Sequence, residues 1–92
     1  MDVFAIVNPL SGAGANPDAA AQRVALLKHR FSVAGVDGPV HVTERVGHAA
    51  DLARLAIAAG ARTVIAWGGD GTINEIGSVL AGTPTPLGIV PA

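Results

Sequence analysis

Hydrophobic positions along this chain fall into two rhythms that take turns. "DVFAIV" (Asp2–Val7) is a short apolar run ended by Asn8-Pro9, the pattern of a buried strand. From Pro17 to Phe31 the period lengthens: Ala20, Val24, Leu27 and Phe31 fall at i, i+4, i+7 and i+11, one face of a helix. Asn16 suits the N-cap of that helix, Pro17 its first position and Asp18 its first turn. "GPVHVTE" (Gly38–Glu44) alternates and predicts a second strand, with His41 pointing outward. "GHAADLARLAIAAG" (Gly47–Gly60) predicts a helix with Ala49, Leu52, Ala53 and Ala56 on its inner face and Gly60 as its stop. "RTVIAW" (Arg62–Trp67) is a third strand. "INEIGSVLAG" (Ile73–Gly82) sets Ile73, Ile76 and Leu80 on a third helical face, and "PLGIVPA" (Pro86–Ala92) begins a fourth strand.

The order is β-α-β-α-β-α-β. Such alternation predicts an α/β fold, a parallel sheet in three layers with helices on both faces. The unbroken apolar run "TVIA" in the third strand agrees with burial on both sides. No internal repeat, low-complexity linker or domain boundary interrupts residues 1–92. A parallel strand normally leads into another loop and helix. The expectation is therefore one domain, incomplete at its C-terminus.

Composition narrows the function classes. A domain of 92 residues buries only about 60–65% of its unfolded surface. Half of the residues are hydrophobic and 14% are charged, against about 25% charged in a typical domain. Apolar surface is thus expected to meet a further domain or a partner. Net charge is −1 with no basic run, and the aromatics are Phe4, Phe31 and Trp67. Neither an electrostatic nucleic-acid surface nor a base-stacking platform follows from this. The chain has no cysteine, which removes disulfides and thiolate chemistry. The opening "MDVFAIVNPL" lacks a basic leader, and no apolar run is long enough to span a bilayer. The expected location is the cytoplasm.

Ligands of open α/β sheets sit beyond the carboxyl ends of the strands. Three segments fall there: "NPLSGAG", "TERVGH" and "GGDGT". A glycine loop leading into a helix offers free N–H groups and the positive end of the helix dipole, a natural seat for phosphate. The common phosphate motifs do not fit. The single lysine, Lys28, lies inside a helix, which excludes a P-loop, and "GAGANP" from Gly12 has proline where a dinucleotide fingerprint has its third glycine. Without lysine, Mg²⁺ near a carboxylate is the simplest way to neutralise a triphosphate. Asp70 is the candidate. "GGDG" read alone is an ordinary turn, but a plain strand-to-helix connection has no use for Gly68, Gly69 and Gly71 together.

With "GGDGTINE" after a strand, "NPLSG" ending the first strand and "LGIVPA" near the end, the chain resembles the diacylglycerol kinase catalytic domain family. That family includes bacterial lipid kinases and is related to the sphingosine and ceramide kinases. "GGDGT" alone is shared with NAD kinases, which have the same fold. The resemblance implies ATP and Mg²⁺ as cofactors, and transfer of the γ-phosphoryl group to a lipid hydroxyl. By position, it implies nucleotide-binding roles for Asn8, Ser11, Gly12, Thr43, Gly68, Gly69, Gly71 and Thr72. It gives Asp70 the catalytic role, through Mg²⁺ or in proton transfer, with no direct protein ligand to the metal otherwise. Asn74 and Glu75 are read as support for the loop.

Two expected parts of such an enzyme are not in the sequence. A second glycine-threonine loop completes the nucleotide site in the family, and a β-rich domain supplies the lipid pocket. The 92 residues are accordingly expected to be the ATP-binding portion, inactive alone, within an enzyme that has room for peripheral membrane contact and a homodimer. The alternatives are an NAD kinase-type enzyme and a non-catalytic nucleotide-binding module. His48 is expected to lend polarity to the start of the second helix, His29 to be unremarkable, and Ser11 to lack the strained elbow of an acyl-transfer nucleophile. No His/Asp/Glu cluster has metal-ligand spacing.

Overall fold

The computed structural model describes residues 1–9 and 17–91, with the side chains of Pro17 and Pro91 left out. The elements are β1 (Val3–Val7), α1 (Pro17–Ala34), β2 (Val40–Val42), α2 (His48–Ala58), β3 (Thr63–Gly68), α3 (Asp70–Leu80) and β4 (Leu87–Pro91). The four strands form one parallel sheet in the order β2-β1-β3-β4. β2 lies on one side of β1 and β3 on the other, so the chain reverses its direction of travel across the sheet after β2. With right-handed crossovers that reversal sends α1 to one face and α2 and α3 to the other.

Two apolar layers confirm the arrangement. Leu27 and Phe31 of α1 pack on Val3, Ala5 and Val7. On the opposite face Phe4, Ile6, Val64 and Ala66 meet Ala49, Leu52, Ala53 and Ala56 of α2 and Ile76 and Leu80 of α3. Every residue of β1 is buried, as a central parallel strand requires. β3 departs from the expected two-sided burial. Its residues alternate, with Val64, Ala66 and Gly68 buried and Ile65 and Trp67 half-buried. The cause is the uneven layering: one helix covers the α1 side of the four strands, and it sits toward β1 and β2.

β2 is shorter than the seven residues its alternation suggested. A Cβ on Gly38 would lie 1.7 Å from the Val3 carbonyl oxygen, so the backbone crosses β1 too closely for regular pairing. Pro39 has no N–H and only accepts, from the Ala5 N–H at 3.0 Å. His41 does not point outward. Its ring stacks on Phe4 with centroids 4.8 Å apart, because this edge strand still has a core on that side. α1 runs three residues past Phe31 before Gly35, at φ 69°, stops it. The expected N-cap Asn16 lies outside the described residues.

α3 differs most usefully. It starts at Asp70, three residues before the apolar periodicity begins. Its buried stripe is Thr72, Ile76 and Leu80, with Ile73 half-buried. A threonine therefore occupies the first apolar slot of the helix.

Candidate functional site

Register decides which residues meet. Val7 pairs with Val42 on one side and with Trp67 on the other. The next residues along each strand, Asn8, Thr43 and Gly68, therefore lie at one level along the carboxyl edge of the sheet. The strand order reverses between β1 and β3, where the outgoing chains diverge to opposite faces. That divergence opens a crevice, the usual ligand position in this class of sheet.

Asn8 is held there by its own backbone and side chain. Its N–H donates to the Trp67 carbonyl at 2.8 Å, and its Nδ2 donates to Thr72 Oγ1 at 2.7 Å. Its carbonyl accepts from Arg23 Nη1 at 2.8 Å. The Arg23 guanidinium lies over the Trp67 ring, 5.1 Å from its centroid. Thr72 and Thr43 are the buried polar residues of the described core. The Thr43 N–H extends the ladder by one bond to the Val7 carbonyl, at 2.8 Å. Glu44 then leaves the ladder, and its N–H donates to His48 Nδ1 at 2.9 Å. Nδ1 acts as the acceptor, so the imidazole proton is on Nε2. His48 thus does more than add polarity to its turn: it closes the loop between β2 and α2.

A cleft of about 700 Å³ opens at this edge. Its walls include Asn8, Thr43, Gly71 and Thr72 of the expected set, together with Glu44, Arg45 and Glu75. Asp70 is not among them. Asp70 precedes Thr72 by two helical positions, about 200° around the axis, so with Thr72 turned into the core Asp70 faces solvent. Glu75, one turn beyond Thr72, turns back toward the cleft. The family resemblance gave Glu75 a role in supporting the loop, whereas here it lines the cleft. A helix start at Asp70 would have placed Glu75 beside Thr72. Ser11 and Gly12 lie outside the described residues.

The glycines of "GGDG" separate into two kinds. A Cβ on Gly68 would sit 2.9–3.0 Å from Thr72 Cβ, Cγ2 and Oγ1, so the fold itself demands glycine there. A Cβ on Gly69 or Gly71 would meet nothing within 4 Å, and neither has positive φ. Packing and backbone conformation give no reason for glycine at these two positions. Both sit at the α3 N-terminus, Gly69 as its N-cap without a side-chain cap. The first N–H groups of a helix lack intrahelical partners, and an unbranched backbone lets a guest come close to them.

Around the rim, Arg45 Nη2 donates to Asp51 Oδ2 at 2.6 Å and Arg54 Nη1 to Asp51 Oδ1 at 3.1 Å. The hydrogen bond from Arg45 is the main cause that holds the Asp51 carboxyl below its usual range. Among the described residues no group of three or more His, Cys, Asp or Glu could enclose a metal ion. No described helix is long and apolar enough to cross a membrane.

The diacylglycerol kinase catalytic domain family matches residues 2–92. This chain belongs to that family. It is 48% identical over 94 residues to the diacylglycerol kinase of Mycobacterium tuberculosis, covering 98% of this chain and 28% of that protein. A YegS-like protein of Klebsiella pneumoniae, named as a candidate lipid kinase, is 40% identical over 84 residues, or 89% of this chain and 27% of its own length. Among solved structures, a candidate diacylglycerol kinase from Bacillus anthracis superposes with a TM-score of 0.75 at 29% identity. It covers 99% of this chain and 30% of its own. The expected fold class is the one observed. The chain spans a little over a quarter of the length of the curated relatives it matches.

Proposed function

We propose that this chain is the ATP-binding part of a lipid kinase that transfers the γ-phosphoryl group of ATP to the hydroxyl of diacylglycerol or a related lipid. The observation that carries the reading is the pair Gly69 and Gly71. They sit at a helix N-terminus beside a cleft, and neither packing nor conformation accounts for their lack of a side chain. A polyphosphate lying against the backbone accounts for both. It would accept hydrogen bonds from the α3 N-terminal N–H groups and meet the positive end of the helix dipole.

In this reading Asn8, Thr43, Gly71 and Thr72 line the nucleotide cleft, and Gly68 is fixed so that Thr72 can close over it. Ser11 and Gly12, from the same loop as Asn8, are assigned to the nucleotide on the family resemblance alone. The described residues offer no protein cage for a cation but do offer the exposed carboxylate of Asp70. That suits Mg²⁺, which commonly takes one or two carboxylates and draws its other ligands from phosphate oxygens and water. When bound, Mg²⁺ supplies charge neutralisation to the transferring phosphoryl group. Asp70 is the residue that would hold it. The lipid oxygen forms the new bond to the γ-phosphorus as the bond to the bridging β–γ oxygen breaks. The hydroxyl proton passes to a base, and ADP leaves with the bridging oxygen. The part played by this chain is positioning and charge stabilisation. We assign the lipid pocket to portions of the relatives' length that this chain does not span.

The test is ATP-dependent phosphorylation of diacylglycerol presented in mixed vesicles by an enzyme in which this chain is joined to the portions of its relatives that it does not span, with NAD as a competing acceptor in a parallel reaction. Labelled phosphatidic acid is the expected product. Labelling of NAD without labelling of lipid would replace the lipid reading by an NAD kinase. ATP binding without any transfer would leave a non-catalytic module.

A further inference from the structure

Arg23 is unlike the other cations of the chain. Lys28, Arg30, Arg45, Arg54 and Arg62 are exposed, while Arg23 is half-buried. It starts from the second turn of α1, on one face of the sheet, and reaches the carboxyl end of β1. There its Nη1 donates to the Asn8 carbonyl at 2.8 Å, and its plane lies 5.1 Å above the Trp67 centroid, inside the roughly 6 Å limit for cation–π attraction. Asn8 precedes a proline, so its backbone is already confined to extended conformations. With its N–H on the Trp67 carbonyl and its own carbonyl on Arg23, the rest of its freedom is taken up. What remains is the side chain, aimed at Thr72 on the far face of the sheet.

We propose that Arg23 is a positioning residue. By holding the Asn8 carbonyl from the α1 side, it aims the Asn8 amide at Thr72 and so sets the wall of the cleft. Arg23 is not among the described residues that line the cleft, and its hold on the site is the Asn8 carbonyl. Its planar fork donates to the carbonyl while its face covers the indole, a combination that methionine lacks and lysine partly reproduces. The consequence for nucleotide binding rests on the function proposed above, whereas the consequence for Asn8 does not.

Two measurements keep these apart. The first needs no nucleotide: hydrogen exchange and chemical shift of the Asn8 side-chain amide by NMR, in the wild type and in Arg23→Met. Loss of protection in the variant, with thermal unfolding little changed and with recovery in Arg23→Lys, is expected. An Asn8 amide that behaves as in the wild type would overturn the proposal, whether or not the protein is a kinase. The second measurement is KM for MgATP, in an enzyme that joins this chain to the portions of its relatives that it does not span. Arg23→Met is expected to raise it by about tenfold, the size of losing one hydrogen bond to a charged donor, with kcat much less affected. In a double-mutant cycle the effects of Arg23→Met and Thr72→Val should be strongly non-additive, since both act on the aim of one amide. Additive effects would mean that Arg23 acts elsewhere, and would also overturn the proposal. If the enzyme that joins this chain to the portions it does not span has no ATP-dependent activity, the proposed function fails and the NMR result alone decides the role of Arg23.

Discussion

Asn8 Nδ2 and Thr72 Oγ1 are 2.7 Å apart although 64 residues separate them in sequence. One sits just past the end of β1 and the other in the first turn of α3. Their bond spans the point where the strand order reverses. A parallel sheet with short loops brings these segments together by register alone. The hydrogen bond then fixes how far the crevice opens.

Removing the Thr72 hydroxyl should therefore act on function more than on fold. Thr72→Val keeps the volume of a side chain that is 4% exposed. It forfeits one partly buried hydrogen bond, costing about 0.5–1.5 kcal/mol. KM for ATP is expected to rise more than this loss of stability would suggest, as measured by comparing kinetics with denaturant unfolding. A Thr72→Val enzyme with wild-type KM would remove Thr72 from the site.

The glycines allow a sharper separation. Gly68→Ala places a Cβ against Thr72 and should destabilise the fold by about 1–3 kcal/mol, the usual cost of overpacking. Gly71→Ala meets no atom and, in a helix, should leave stability unchanged or raise it by at most about 1 kcal/mol. Yet Gly71→Ala and Gly69→Ala are both expected to weaken ATP binding sharply, in calorimetric titrations of well-folded protein. Full ATP affinity in both variants would contradict the phosphate reading of the loop.

Asp70 is exposed, so its removal tests chemistry with little structural consequence. Asp70→Asn forfeits a favourable charge at a helix N-terminus, worth about 0.3–1 kcal/mol. In the intact enzyme turnover is expected to vanish, while the melting temperature moves by only a few degrees. Wild-type turnover in this variant would refute the role given to Asp70.

Asp51 supplies a pH dependence of known sign. Its carboxyl is held below the usual value of 3.8 by the Arg45 hydrogen bond first, with Arg54 helping electrostatically. A depressed folded pKa stabilises the protein above the unfolded value, and the contribution is lost as pH falls through the folded one. Comparison of Asp51→Asn with the wild type should show a small stability gap that is constant near neutral pH, closes below about pH 4 and shrinks with added salt. A gap that does not change on acidification would show that the pairing does not persist in solution.

The sequence foretold the order of elements because the apolar periods of 2 and 3.6 are local. The inner faces of α2 and of the latter part of α1 followed directly from it. β2 was overestimated because Gly38 and the missing N–H of Pro39 spoil pairing with a strand that no local pattern reveals. The start of α3 was placed late because Asp70, Gly71 and Thr72 break the apolar pattern, although Thr72 occupies a core position. The motif residues Asn8, Thr43 and Thr72 were legible as chemistry, and the structure brings them to one edge. Arg23 was not legible at all. Nothing around position 23 marks it, and its meaning comes from a carbonyl and an indole that only the folded sheet places beside it.

The stacking of Arg23 on Trp67 has a use beyond its effect on the site. Trp67 is the chain's single tryptophan. Its indole is half-buried, a cation covers its ring, and its carbonyl holds Asn8. Indole emission responds to nearby charge and to solvent. Events at the crevice will therefore be written into the intrinsic fluorescence of one residue, at a known position, without any label being attached.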